Sequence, residues 1–212
     1  MINYHCNKCD IDVNHSECPV CGERTEVKSE LFWCSNCNVP TYDSVCPSCK
    51  NNCEYFTSDA RPVFPEERLL LEIVLDKPLA FINDSVWNGT GNRYYVNGKK
   101  IPLKISKVKE LDPNVVRQEI EKYTSLNSYD SFNAYIEKWI AANKSHFEFI
   151  TTEAKQYINE LSSKYLNDET NAAFVSFSGG KDSTVVSDLV RKALANPSII
   201  HIFGNTTLEF PH

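Results

Sequence analysis

The last 159 residues of this 212-residue chain contain no cysteine, and all nine cysteines lie at or before Cys53. Thiol and thiolate chemistry is thereby confined to the N-terminal quarter. No apolar run approaches ~18 residues, which excludes a helical membrane span. The start, Met1 to Cys6, lacks a basic stretch followed by an apolar one, so no secretory signal is read and the cytoplasm is the expected compartment. An excess of positive charge is also missing. There are 22 basic against 28 acidic side chains, and residues 1–60 alone hold 4 and 9 of them. A protein that coats nucleic acid through overall basicity is excluded, though a local basic patch is not. What remains is ordinary globular material, 42% hydrophobic and 24% charged, long enough for one to three domains at ~100–200 residues each.

Eight of the cysteines form four Cys-x-x-Cys pairs: Cys6/Cys9, Cys18/Cys21, Cys34/Cys37 and Cys46/Cys49. Adding 28 to each of the first four positions gives the second four, so the segment is two copies of C-x2-C-x8-C-x2-C. Each copy sets two tight thiolate turns against one another, as tetrahedral Zn²⁺ requires. The second pair of each copy reads Cys-Pro-x-Cys, and Gly22 follows the first such pair where a positive φ is useful. Two structural Zn²⁺ sites with four cysteines each are expected, and with no open position they are not catalytic. Iron in a rubredoxin-like site and disulfides are the alternatives. Short segments have little core, so metal binding would supply their folding energy. The pattern resembles a double zinc ribbon. Cys53, the ninth thiol, reads as an inert neighbour.

Residues 54–68, with Pro62 and Pro65, read as a linker. Leu69–Leu75 is a short apolar run suited to a buried strand. Arg93–Val96, Asn97-Gly98 and Lys99–Ile101 signal a hairpin with a type I′ turn. Arg93, Lys99, Lys100, Lys104, Lys107 and Lys109, beside Tyr94 and Tyr95, would suit an RNA-facing surface by phosphate neutralisation and stacking. The competing reading, a solvated strand face with both tyrosines in the core, is preferred. From Asn114 the pattern is helical: Val115, Val116 and Ile120, then Tyr129–Ile140, then Phe147–Tyr165. Their aromatic stripes read as packing.

Ala172–Phe177 is a strand run leading into Ser178-Gly179-Gly180-Lys181-Asp182-Ser183-Thr184. Val185, Val186, Leu189, Val190 and Leu194 then recur at helical spacing, and Ile199–Gly204 forms a second strand. This is a parallel βαβ unit. Two glycines let the backbone approach an anion, and the helix start directs free N–H groups at it. The loop is not a Walker A loop and not a G-x-G-x-x-G turn.

Ser-Gly-Gly-x-Asp-Ser after a strand resembles the PP-loop of the ATP pyrophosphatase (adenine nucleotide alpha hydrolase) superfamily. The ending, Phe203 to Pro211, resembles the second-strand motif of the phosphoadenosine phosphosulfate reductase family. The two motifs cover residues 171–212. The resemblance implies that Ser178, Gly179, Gly180, Lys181, Asp182 and Ser183 line the site for the phosphates of ATP or a sulfonucleotide, with Asp182 assisting Mg²⁺. It implies that the turn from Gly204 through Asn205 and Thr206 to Thr207 borders adenosine. Family members cleave ATP between the α- and β-phosphates, adenylating a substrate, or reduce an adenylylated sulfate. Asn205 stands where the motif commonly carries Asp. The thiol that sulfonucleotide reduction needs has no counterpart beyond Cys53.

The expected architecture is α/β, with a tandem zinc ribbon (1–53), a linker and small β module (54–110), a helical connector (111–168) and the start of a Rossmann-like PP-loop domain (169–212). Two parallel strands and one helix cannot cover a parallel sheet. A downstream segment or second polypeptide is therefore expected to complete it, and the chain alone is expected to show little turnover. The function expected is adenine-nucleotide binding in sulfur metabolism, through adenylation, sulfur transfer or sulfonucleotide reduction. The ribbons and basic hairpin would meet an RNA or protein substrate. The alternative is a zinc-ribbon RNA-binding module with a non-catalytic nucleotide fold.

Overall fold

The computed structural model describes residues 3–13, 15–28, 30–103, 108–109, 111–166 and 172–204. They fall into two compact units, Met1–Asn143 and Lys144–His212.

The first unit opens on the duplication. Strands β1 (Asn3–Cys6), β2 (Ile11–Val13) and β3 (Glu26–Lys28) form an antiparallel sheet of order β2-β1-β3. Strands β4 (Leu31–Cys34), β5 (Val39–Thr41) and β6 (Glu54–Thr57) form its counterpart, of order β5-β4-β6. The 28-residue offset holds pair by pair: Tyr4 opposes Val13 as Phe32 opposes Thr41, and Cys6 opposes Ile11 as Cys34 opposes Val39. The fates of the copies differ. All of β5 is buried, whereas β2 is half exposed. Trp33, Cys34, Val39 and Cys46 share one core cluster with Trp87, Phe132, Tyr135 and Ala142. Neither core cluster of the described residues includes a side chain of the first ribbon. The second ribbon therefore has a core after all, contributed by the elements that follow it.

Residues 54–68 are not a linker. Strand β6 completes the second ribbon, and β7 (Ala60–Pro62) is the edge of an antiparallel sheet of order β10-β9-β8-β7. Its other members are β8 (Val86–Gly89), β9 (Arg93–Val96) and β10 (Lys99–Lys100). Pro62 is tolerated because an edge strand has amides that need no ladder partner. Nor is Leu69–Leu75 a strand: all but its last residue lie in helix α1 (Pro65–Val74). Pro65 at the first turn, followed by Glu66 and Glu67, starts that helix, since proline loses no hydrogen bond there and carboxylates complement the dipole. A short apolar run alone cannot separate a buried strand from a buried helix.

The hairpin expected at Arg93–Ile101 is present as β9 and β10, which ends at Lys100, with Asn97 at φ 48° and Gly98 at φ 78°, as a type I′ turn demands. A Cβ at Gly98 would collide with the Trp33 indole, and Asn97 Oδ1 accepts from Asn38 Nδ2 at 2.7 Å. The turn is thus seated on the second ribbon. Gly98→Ala adds left-handed strain to this collision and should destabilise the first unit by about 2 kcal/mol in urea titrations.

Helix α2 (Pro113–Thr124) is capped by Asp112, whose carboxylate accepts from the Asn114 amide at 2.8 Å. Helix α3 (Asp130–Ala142) delivers Phe132, Tyr135 and Ala142 to the core, so its aromatic stripe is packing, as expected. Asn143, just beyond it, accepts from the Tyr42 amide at 2.9 Å and donates to the Pro40 carbonyl at 3.0 Å. This fastens the helix end to β5.

The second unit contains α4 (Lys144–Tyr165), β11 (Phe174–Phe177), α5 (Lys181–Ala193) and β12 (Ile200–Phe203). Strands β11 and β12 are parallel, with Phe174 opposite Ile200 and Phe177 opposite Phe203, and α5 is the crossover. Val175 and Ile199 are buried, while Phe174, Ile200 and Ile202 stand about half exposed. No residue of α4 is fully buried, so its stripe is covered only in part. Among the described residues no helix is long and apolar enough to cross a membrane.

Candidate functional site

The hairpin connecting β1 to β2 carries Cys6 and Cys9, and a second turn carries Cys18 and Cys21; Cys34/Cys37 and Cys46/Cys49 repeat this. In each set of four, the sulfurs all lie within 4.8 Å of one another. The separations Cys6–Cys21, Cys34–Cys49 and Cys37–Cys46 are 3.6, 3.4 and 3.7 Å. A tetrahedron with Zn–S of ~2.3 Å has edges of about 3.8 Å, so each set can hold a zinc ion with little adjustment. The backbone builds all four turns alike. The amides of Asp10, Gly22, Asn38 and Lys50 donate to the carbonyls of Cys6, Cys18, Cys34 and Cys46 at 2.7–2.9 Å. Those four donors have φ of 53°, 69°, 59° and 64°. Only Gly22 stood out in the sequence; it directly follows a Cys-x-x-Cys pair, and Asp10, Asn38 and Lys50 directly follow the other three.

Backbone amides hold two of the thiols down, Cys49 to about 6 through Asn51 and Cys18 to about 7 through Cys21. Burial pushes Cys37 up to about 11 and also raises Cys34, and the Cys21 thiol lifts Cys9 to about 12. Cys18 and Cys49 are thus the ready thiolates, and a bound cation must displace the protons of Cys9, Cys34 and Cys37. Cys53 lies outside both sets. Its amide donates to the Ser44 carbonyl at 2.8 Å as Thr25, 28 residues earlier, donates to Ser16 at 3.0 Å. Cys53 is the second ribbon's Thr25.

In the second unit, β11 ends at Phe177 and α5 begins at Lys181, with Ser178-Gly179-Gly180 between. Gly179 takes φ 75°, and no side chain caps the helix at Gly180. Among the described residues, a Cβ at Gly179 would meet nothing within 4 Å, and one at Gly180 only Ser178 Oγ at 3.5 Å. No described residue fills the space above the loop, and the first-turn amides of α5 have no intrahelical acceptor. Ser178 Oγ donates to Ser183 Oγ at 3.2 Å and accepts from the Gly180 amide at 3.4 Å. The Ser183 and Thr184 hydroxyls both donate to the Gly180 carbonyl, at 2.9 and 3.0 Å. Lys181 Nζ pairs with Asp182 Oδ1 at 2.6 Å on a fully solvated surface, where such a pair is worth ~0–1 kcal/mol and opens readily. Asn205 and Thr206 lie outside the described residues.

On the hairpin, Arg93, Lys99 and Lys100 are exposed. Both tyrosines are half-buried: Tyr94 donates to Glu67 at 2.7 Å, and Tyr95 packs edge-on against Phe56 with centroids 4.6 Å apart. Lys104 and Lys107 lie outside the described residues. Set beside family models, curated proteins and solved structures, the chain finds no match.

Proposed function

We propose that the second unit is the front of a PP-loop domain of the phosphoadenosine phosphosulfate reductase type, binding ATP or a sulfonucleotide with Mg²⁺ for adenylation, sulfur transfer or reduction. The observation that carries this reading is the left-handed Gly179 and the open Gly180 directly before an uncapped helix, at the carboxyl end of a strand in a parallel pair. Ligands of parallel α/β sheets bind at that end, and a helix start with unpaired amides attracts phosphate. Ser178, Lys181, Asp182 and Ser183 surround the position. The inward hydroxyls of Ser178 and Ser183 keep the loop closed on itself until an anion offers better acceptors. Asp182 is the residue here for Mg²⁺. The half-exposed apolar face of Phe174, Ile200 and Ile202 supports a further layer packed on this sheet, from this polypeptide or another, since parallel sheets are covered on both faces. The two ribbons are structural, their eight thiols held by metal, and supply no redox thiol to the reaction.

Calorimetric titration with MgATP tests this. Ser178→Ala should weaken binding about 10- to 150-fold, the loss of a hydrogen bond to a charged group at ~1.5–3 kcal/mol. Gly180→Val should fold, because its backbone is extended and its Cβ meets only an ordinary contact, yet the side chain fills the space a phosphate needs. It should bind no nucleotide. Wild-type affinity in both variants, with unchanged circular dichroism, would remove the loop from the site.

A further inference from the structure

The duplicated ribbon carries one face twice, and the second copy shows what that face does. The 28-residue offset lays His5 on Trp33, Asp10 on Asn38, Asp12 on Pro40 and Glu26 on Glu54. In the second ribbon Trp33 and Pro40 are opposed across β4 and β5, and both are buried. Gly98 lies against the Trp33 indole, Asn97 is hydrogen-bonded to Asn38, and Asn143 grips the Pro40 carbonyl. This face is an interface for a β-turn and a helix end. The same face of the first ribbon is built on the same backbone register, with His5 opposed to Asp12 on one side and to Glu26 on the other. It stays open to solvent: the Asp10 side chain is 95% exposed and that of Asp12 51%.

Its chemistry has also changed. Trp and Pro are replaced by an imidazole ringed with carboxylates. Asp12 Oδ1 lies 2.9 Å from His5 Nδ1, Asp10 Oδ1 lies 3.4 Å from His5 Nε2, and Glu26 stands opposite across the strand pair. Such a face rejects phosphodiesters and other acidic surfaces and accepts cationic ones. We propose that this face of the first ribbon is a docking surface for a basic protein segment, a turn presenting arginine or lysine. The segment sits on His5, Asp10, Asp12 and Glu26 as the Asn97-Gly98 turn sits on the second ribbon. A metal-stapled module that adds nothing to either described core cluster is thereby given a role in recruiting a partner.

The probe is an octapeptide of alternating arginine and glycine, titrated into the zinc-loaded, ¹⁵N-labelled full chain at low salt. Amide shifts should concentrate at residues 5, 10, 12 and 26 and shrink as salt screens the charges. The combined variant Asp10→Asn, Asp12→Asn, Glu26→Gln should weaken the peptide about tenfold while retaining two zinc ions, since several solvated pairs are lost together. Glu54→Gln, an exposed carboxylate at the matching position of the second ribbon, should change nothing. Four results would each overturn the proposal: shifts spread over carboxylates of the whole chain, an unaltered affinity in the triple variant, equal binding of a glutamate–glycine octapeptide, or first-ribbon shifts that follow protein concentration without peptide. The last would assign the face to a second copy of the chain.

Discussion

Replacing Cys46 with serine should release one zinc and unfold the first unit, whereas replacing Cys9 should release one zinc and leave that unit's core standing. The ligand sets are alike, four thiols within 4.8 Å, so the asymmetry comes from what surrounds them. Cys34 and Cys46 are packed in the cluster of Trp33, Trp87, Phe132 and Tyr135, with Trp139 against it. The hairpin turn rests on Trp33 and the end of α3 on β5. Zinc bound to a structural tetrathiolate is worth ~10–16 kcal/mol, comparable to the entire stability of a domain at ~5–15 kcal/mol. Losing it at the second site takes the supporting ribbon from under the hydrophobic core. At the first site only the ribbon's own fold depends on it. All three tryptophans of the chain belong to that core, so their emission reports the second site and is silent on the first. Cys46→Ser should bind one zinc and show red-shifted emission; Cys9→Ser should bind one zinc and keep the native spectrum. The same spectrum from both variants would show that the ribbons are equivalent.

The two four-cysteine clusters were legible in the sequence because their spacing is local: a Cys-x-x-Cys turn closes on itself whatever follows. The βαβ unit was legible for a similar reason, since Gly179-Gly180 separates a short apolar strand run from a period-3.6 run within 30 residues. Proline misled in the middle of the chain. Pro62 and Pro65 read as breakers, yet one ends an edge strand and the other begins a helix, and only the sheet order tells these apart. The burial of the second ribbon was out of reach because the covering side chains, Trp87, Phe132 and Tyr135, lie 40 to 100 positions away. Its signature was nonetheless present: where the first copy has His5 and Asp12, the second has Trp33 and Pro40, and an aromatic–proline pair on a ribbon is solvated at a cost. At the Ser178–Ser183 loop, the residues were readable and their mutual hydrogen bonds were not. Ser183 and Thr184 turn back to Gly180 because a helix's first turn supplies an acceptor three or four residues behind each hydroxyl.

Glu72→Ala should destabilise the first unit by about 3–5 kcal/mol, the range for breaking a buried ion pair from one side. Glu72 has no exposed surface, and each of its oxygens serves one backbone amide, Phe81 at 2.7 Å and Leu79 at 2.8 Å. These bonds hold the turn after α1, in which Asp76 and Leu79 take φ of 57° and 63°, a conformation that L-residues adopt at ~1–2 kcal/mol each. Arg68, also buried, stands 3.7 Å from the carboxylate and is tied elsewhere to the Ile82 carbonyl and to Asn127. Alanine would therefore strand a buried guanidinium and two amides together. Glu72→Gln keeps the shape, but its NH₂ must face one of the two amides, so it should still cost about 1–3 kcal/mol. The wild-type carboxyl is raised above the usual carboxylate range by burial, which outweighs both amides and Arg68. The native chain thus takes up this proton before the unfolded chain does. The group's contribution to stability grows as pH falls through the window just above that range and declines as pH rises through it. Urea titrations followed by tryptophan emission across that window should show this dependence in the wild type and its absence in Glu72→Gln. A pH-independent difference between the two proteins would mean that the glutamine variant fails by shape alone and that the buried charge plays no part.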